Sequence, residues 1–358
     1  MVLQYKCPDC GADMEYDSKT GMLQCPSCGH LDNIENYKDP NYNPKEDIPD
    51  YEEHKDNTSY STYEDDNARQ YQCQNCGATL ITTKDTSATT CNFCGSPMIL
   101  GDRLSGKLAP SHVIPFQISR QEAEEGFRKW CKKGLLTPKG FMSADRIKSI
   151  TGIYVPFWLY DLNGRGDAHA ICTRTRHYSQ GDYNITETKY YDVYRRVNVF
   201  YNKVPCDASE KMDDKLMDKL EPFSYQDLKE FNTPYLAGYI AEKYNYTDKE
   251  LFPRVEERAE TFVSDYIRDT IIGYDSIRFQ HKDIQILQQN ADYSLLPVWM
   301  ICYDYQQGEH SFAMNGQTGK VVGKPPLSKG KIAAWFGGLS AASLIIMQII
   351  TFIVGGGF

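Results

Sequence analysis

The chain lacks every short signature that would make it an NTP-driven or hydrolytic enzyme. No G-x-x-x-x-G-K-[ST] loop occurs; the closest string, Gly316-Gln-Thr-Gly319-Lys320, is two residues too short and reads as a turn between strands. There is no H-E-x-x-H, no G-x-S-x-G and no dinucleotide fingerprint. The seven His are scattered, and none sits at a spacing from an acidic or cysteine partner that suggests a catalytic site. No catalytic residue is nominated on these grounds. The first thirty residues hold no apolar run of the kind a secretory leader needs, because charges interrupt it repeatedly. An excess of positive charge is missing too. Formal net charge is −9, with −3 over residues 1–34, −8 over residues 35–68 and +2 over the remainder. Acidity is therefore local, and it sits where a phosphate backbone would be repelled.

What is abundant is cysteine in pairs, and tyrosine. The 26 Tyr raise aromatic content to 13%, a level that suits strands and half-buried sheet faces. Of the 12 Cys, eight fall in C-x-x-C pairs, while Cys131, Cys172, Cys206 and Cys302 stand alone and read as small apolar residues of the interior. Without a leader the expected compartment is reducing, where paired cysteines signify metal more often than disulfide. Cys7-Pro-Asp-Cys10-Gly and Cys25-Pro-Ser-Cys28-Gly frame fourteen residues, and Cys73-Gln-Asn-Cys76-Gly and Cys91-Asn-Phe-Cys94-Gly frame fourteen again. At an offset of 66 the two segments also share Tyr5/Tyr71, Gly11/Gly77, Ala12/Ala78 and Gly29/Gly95, which marks an internal duplication. Two residues between thiolates let both curl towards one point, and the following glycine accepts the positive φ of the turn. Two facing knuckles supply a tetrahedral S₄ shell for one Zn²⁺, with Zn–S near 2.3 Å. A ribbon of about 25 residues cannot bury a stabilising core alone, so metal must hold it. Thioredoxin-like redox chemistry would need one such motif beside a βαβ unit, not four in matched frames. Two structural zinc ions are expected, one on Cys7, Cys10, Cys25 and Cys28, the other on Cys73, Cys76, Cys91 and Cys94. With four protein ligands each, neither leaves a position open for catalysis.

The remainder divides by composition. Residues 1–34 form the first ribbon and 69–100 the second. The acidic, proline-punctuated stretch 35–68 reads as a flexible linker. From 101 to 327 the pattern becomes globular, and the fold class expected is α+β with mainly antiparallel strands. Ser119 with Glu122, and Thr247 with Glu250, are capping boxes that open helices over about 120–132 and from 248 towards Ile272. Ser209 is expected to cap a helix over 210–220, and Pro234 to open a short helix over 235–243. Strands are expected at Gly152–Asp161, Asp167–Arg176, Thr188–Tyr201, Ser276–Leu287, Ser294–Tyr305, His310–Met314 and Lys320–Gly323. Val155-Pro-Phe-Trp158 and Leu296-Pro-Val-Trp299 resemble each other; a proline in a strand suits an edge, so the pair reads as two edge strands from a second duplication.

One long apolar run remains. Ile332 to Val354 holds no charged residue over 23 positions and as a helix would span about 34 Å, enough for a hydrocarbon core about 30 Å thick. Only Gly355 to Phe358 follow, so the expectation is a tail anchor. Lys320, Lys324, Lys329 and Lys331 precede it, and the positive-inside rule then leaves the bulk of the chain in the cytoplasm. Gly337/Ala341, Gly338/Ala342 and Gln348 suit self-association of this helix.

The paired ribbons, GIYVPFWLYD (152–161), VPCDASEKMDDKLMDKLEPF (204–223), LAGYIAEKY (236–244), LLPVWM (295–300) and NGQTGKVVG (315–323) together resemble a family of bacterial membrane-anchored TFIIB-type zinc-ribbon proteins. The similarity runs from Cys7 to the anchor. Members are often labelled as related to the replication-restart helicase PriA, a label that rests on the cysteines; the missing ATP loop keeps it from carrying an activity here. The resemblance implies a non-enzymatic adaptor holding cytosolic proteins at the membrane, with SPFH-domain or phage-shock-type membrane-stress proteins as partners. Nucleic acid is the competing ligand. Arg69, Lys84, Arg103 and Lys107 outnumber the acids around the second ribbon, and Arg174 to Lys203 interleaves Arg with Tyr at a net charge of +3. Each Zn(Cys)₄ centre is formally −2, however, and the acidic segment lies between the ribbons.

Overall fold

The computed structural model describes residues 2–37, 68–101, 104, 109–134, 136–138, 141, 147–305 and 308–355. The proposed linker falls almost wholly outside them, as do Arg103 and Lys107. Three long strands organise the molecule: Ile147–Gln180, Tyr183–Asp207 and Ser276–Tyr305. The first lies between the other two and pairs antiparallel with both. They belong to an 11-stranded sheet with mixed pairing, mainly antiparallel. Four α-helices accompany it among the described residues: α1 (Arg120–Lys133), α2 (Asp214–Leu220), α3 (Asp248–Asp269) and α4 (Lys329–Gly355). The mixed α+β class, with a C-terminal apolar helix, is as the sequence suggested.

Both capping boxes form. Ser119 accepts from the Glu122 backbone N–H while the Glu122 carboxylate takes the Ser119 N–H, and Thr247 and Glu250 do the same for α3. The next two expected helices differ. Asp213 caps α2, while the Ser209 hydroxyl donates to Glu242. Pro234 opens only a single 3-10 turn, Thr233–Leu236. Gly238, at φ +89°, ends it, and the chain goes on as the strand Ile240–Glu242.

The strands expected as separate pieces are continuous. Gly164 and Gly166 fall between two of the expected strands, yet they lie mid-strand beneath α3. A Cβ on them would come within 2.6 Å of Val263 and 2.7 Å of Ile267 respectively, so glycine is what lets the helix lie on the sheet. Val255, Ala259, Val263 and Ile267 recur at helical spacing and pack against Tyr160, Leu162, Ala168, Val204, Cys206 and Ile286. Cys131, Cys172 and Cys206 are buried, as expected of small apolar residues, and Cys302 is half-buried.

The edge-strand reading of the two Pro-Trp segments is overturned. Val155 pairs directly with Leu296, Pro156 with Leu295 and Tyr154 with Pro297, so the segments are neighbours in the sheet interior. Each proline sits where its strand changes its other neighbour. The first long strand pairs parallel with Ile240–Glu242 at Ile153 and Tyr154, then with Tyr183–Asp207 from Phe157 onward. Ser276–Tyr305 pairs parallel with His112–Val113 at Ser294 and Leu295, and with Gly308–Asn315 from Val298. A missing N–H costs little at such a junction. The two proline carbonyls accept from Ala208 and Gly316, at 2.9 and 2.8 Å. Trp158 Nε1 donates to the Tyr246 carbonyl, one residue before the N-cap of α3. Trp299 Nε1 donates to the Ile118 carbonyl, one residue before the N-cap of α1. Two strand–helix–strand–strand units, 112–207 and 240–315, are thus related by an approximate two-fold, and the Trp of each steadies the helix start of the other.

Candidate metal centres

The local backbone of the two ribbons is almost the same twice. Cys7 N–H donates to Ala12 and Cys73 N–H to Ala78, both at 2.8 Å; Gly11 donates to Cys7 and Gly77 to Cys73, both at 2.9 Å. The second knuckles repeat the pattern, Cys25 to His30 and Cys91 to Ser96. The glycine after each pair has φ between +74° and +78°, the conformation the spacing demanded. Each thiol pair is therefore aimed by a hydrogen-bonded turn.

All eight nominated cysteines come together, four and four. Cys7, Cys10, Cys25 and Cys28 form one cluster, and Cys73, Cys76, Cys91 and Cys94 the other, with every Sγ within 4.8 Å of the rest of its set. Cys7–Cys28 and Cys10–Cys25 are 3.5 Å apart; Cys73–Cys94 and Cys76–Cys91 are 3.7 Å apart. The edge of a tetrahedron with 2.3 Å metal–sulfur bonds is about 3.8 Å, so the donors fit a four-coordinate, thiolate-only ion such as Zn²⁺. In each cluster the first cysteine of a pair is buried and the second exposed. Hydrogen bonds favour the charged thiolate in both. The Cys28 backbone N–H helps draw Cys25 down to about 6, and the Ser96 hydroxyl with its backbone N–H draws Cys94 down to about 6. Asn75 adds a contact to Cys94 Sγ and donates to Ser96 Oγ. A bound ion would meet one site-held thiolate per ribbon and close the shell without an open coordination position.

The surroundings of the clusters differ. In the first ribbon Cys7 and Cys25 belong to the largest core of the molecule, with Met14, Tyr16, Leu23, Phe116, Tyr154 and Tyr235. Tyr16 N–H donates to the Ala237 carbonyl, and Asn232 donates to the Ile34 carbonyl. Cys73 and Cys91 sit in a separate small core with Val2, Leu80, Met98 and Leu100. The hairpin of Thr86–Thr90 and Pro97–Leu100 is part of the large sheet, pairing with Ile240–Glu242 on one side and with Val2–Leu3 on the other. The hairpin of Ala68–Gln72 and Thr79–Thr83 stands apart as its own two-stranded sheet.

The chain is 57% identical over 358 residues, the whole of both proteins, to the uncharacterized protein YdjG of Bacillus subtilis (strain 168). It belongs to the YdjG family. No family model matches the chain, and no solved structure matches it. In this YdjG-family chain the sequence located every thiol of both centres but missed the feature beside them. Phe93, between the ligands Cys91 and Cys94, is 76% exposed, and Ile81 on the free hairpin is 69% exposed. The signal was present: the other three knuckles carry Pro-Asp, Pro-Ser and Gln-Asn between their cysteines, and only this one carries an aromatic. Helix α4 is long and apolar enough to cross a membrane, and none of its apolar window is buried against the protein.

Proposed function

We propose that the chain is a non-enzymatic adaptor, anchored in the membrane by α4 with its bulk in the cytoplasm, which recruits protein partners through its second, zinc-closed ribbon. The observation that carries this reading is Phe93: a large apolar ring held out to solvent on a knuckle whose turn is closed by backbone hydrogen bonds from Cys91 to Ser96 and from Gly95 to Cys91, both at 2.8 Å. Rigid, exposed aromatics are the side chains that anchor protein interfaces. Both centres are built from four thiolates, which suits a structural ion and not a catalytic one. The sequence resemblance to TFIIB-type zinc-ribbon proteins points to SPFH-domain or phage-shock-type proteins as the partners, in a membrane-stress role.

Nucleic acid is the weaker alternative, and ion pairing adds to the argument from charge. On the Arg- and Tyr-bearing strand Arg196 is paired with Asp167 at 2.6 Å, and the neighbouring His169 bonds Asp192 at 2.9 Å. Those groups are already matched by carboxylates and offer little to phosphate.

Affinity capture with the full chain from membranes, set beside the Phe93→Asp variant, tests the reading. Partner recovery should fall at least tenfold while both zinc ions stay bound, and recovery by the unaltered chain should survive moderate salt. Unchanged recovery by Phe93→Asp would refute the ribbon as the recruiting surface. Binding to DNA or RNA tighter than about 10⁻⁵ M at physiological salt would favour the alternative instead.

A further inference from the structure

Resting on the reading of α4 as a membrane helix, we propose that the C-terminal turn of α1 forms, with the base of α4, a basic collar that binds anionic phospholipid headgroups. The two segments are about 200 residues apart in sequence, and the fold brings them together. Ser328 N–H donates to the Leu136 carbonyl at 2.9 Å, and Lys331 Nζ donates to the Thr137 carbonyl at 2.7 Å. The apolar run begins at Ile332, whose N–H donates back to the Ser328 carbonyl. Ser328 and Lys331 must therefore lie in the headgroup layer, which is about 5–8 Å thick on each side of the hydrocarbon. Leu136 and Thr137, bonded to them, lie at the same depth.

That placement carries α1 with it. The Thr137 N–H donates to the Gly134 carbonyl at 3.2 Å, and Gly134 follows directly on the last residue of α1. Lys129, Lys132 and Lys133 are exposed there, and none forms an ion pair among the described residues. The acids Glu122, Glu124 and Glu125 lie in the N-terminal half of the helix, with Glu124 engaged by Arg128. Two of the four lysines that the sequence sets before the apolar run are in fact committed to backbone: Lys320 donates to the Glu221 carbonyl and Lys331 to Thr137. Lys324 and Lys329 stay exposed. The lipid-facing charge is thus Lys324 and Lys329 together with Lys129, Lys132 and Lys133, and most of it comes from α1. Ammonium groups at headgroup depth match the phosphodiester charge of an anionic leaflet, and each such lysine strengthens attraction about fivefold. A snorkelling side chain of this length reaches several ångström along the surface, enough to close the ring around α4.

The test uses the full chain in nanodiscs of phosphatidylcholine alone, and of phosphatidylcholine with one third phosphatidylglycerol. Amide hydrogen exchange is read over residues 129–137. Exchange should be about tenfold slower in the phosphatidylglycerol discs, and the difference should shrink as salt rises. It should vanish in the K129Q/K132Q/K133Q variant and persist in K129R/K132R/K133R, which separates charge from loss of packing. Equal exchange in the two compositions overturns the collar while leaving the membrane helix in place, as does a difference that survives in the glutamine variant. Protection produced by inorganic phosphate in phosphatidylcholine discs overturns the bilayer as the ligand. Failure of the chain to enter either disc overturns the membrane reading and the collar with it.

Discussion

The two ribbons are near copies at the level of thiols and turns, yet they are set into the molecule differently. The first gives Cys7, Cys25 and Leu23 to the core shared with the sheet and with the aromatic cluster around Phe116 and Tyr154. The second keeps its own small core, commits one hairpin to the large sheet and leaves the other in a two-stranded sheet of its own. Duplicated sequence therefore has not produced duplicated packing. On the proposed reading, the ribbon buried in the main core supports the body, while the ribbon with the exposed Phe93 meets the partner. The same contrast changes what each metal is expected to hold. Sequence spacing alone suggests two independent modules, each losing only itself when its ion is lost. The packing implies that an ion in the first ribbon would stabilise the whole of the chain outside α4.

The largest effect that could break this comparison is loss of a single ligand. Cys25→Ser and Cys91→Ser should each lower zinc content from two ions to one, read by metal analysis of the purified chain. Structural zinc contributes on the order of 10 kcal/mol in small modules. In a domain of this size each kcal/mol moves the melting midpoint by about 2–4 °C. We expect Cys25→Ser to lower the midpoint of the whole part outside α4 by about 10 °C or more, and Cys91→Ser by less than half as much. Equal shifts would show that the two ribbons are integrated alike. Two ions retained in both variants would remove the metal assignment itself.

How much of this was legible follows from which forces are local. The eight thiols, their glycines and the two capping boxes are set by residues a few positions apart, and the sequence located them correctly. The continuity of Ile147–Gln180 was not legible, because the place of Gly164 and Gly166 mid-strand is explained only by α3, a hundred residues later. Pro156 and Pro297 read as edge markers for the same reason. Their tolerance depends on neighbouring strands ending and starting beside them, which no local pattern encodes. Ser209 looked like a cap and instead binds Glu242, a buried carboxylate with a stronger claim on its hydroxyl. The placement of the first ribbon in the main core was invisible too, since Met14, Tyr16 and Leu23 are ordinary apolar residues in sequence.

A smaller effect would sharpen the comparison at the clamp of the second ribbon. Lys211 Nζ reaches Thr83 Oγ1 at 3.0 Å and Glu242 at 3.3 Å, with Asp85 at 3.8 Å, so one ammonium ties the free hairpin and its turn to the body. Glu242 and Asp85 are buried, and removing their cation leaves two carboxylates facing each other. The ammonium is itself partly exposed, so solvent screens some of the loss, and Lys211→Ala should cost about 1–2 kcal/mol. Hydrogen exchange should quicken across 79–90 and stay unchanged across 12–24. Equal quickening in both ribbons would mean that the clamp serves the whole body.

The smallest effect is one of pH, and it arises next to that clamp. Asp207 is buried at the end of Tyr183–Asp207, two residues before Ser209. Its Oδ1 lies 3.3 Å from Arg254, and its Oδ2 has no hydrogen-bond partner. Arg254 is shared with Asp214 at 3.1 Å and Asp218 at 2.7 Å, and the Cys206 thiol and Arg258 stand close by. Burial raises Asp207 from its ordinary 3.8 to about 7, against the pull of Arg254. The folded chain therefore holds this proton more tightly than the unfolded chain does. The stability it contributes is fully present below about pH 4, declines as pH rises through the window from about 4 to 7, and is absent above that. Asp207→Asn removes the ionisation and keeps a similar shape. Its melting midpoint relative to the unaltered chain should climb by a few degrees between pH 5 and pH 8, following that linkage. Exchange measured at the two pH values should change more across 79–90 than across 12–24, because Asp207 adjoins the segment that clamps the second ribbon. A midpoint difference that stays flat with pH would show that Arg254 keeps Asp207 ionised throughout, and the second ribbon would then be no more pH-sensitive than the first.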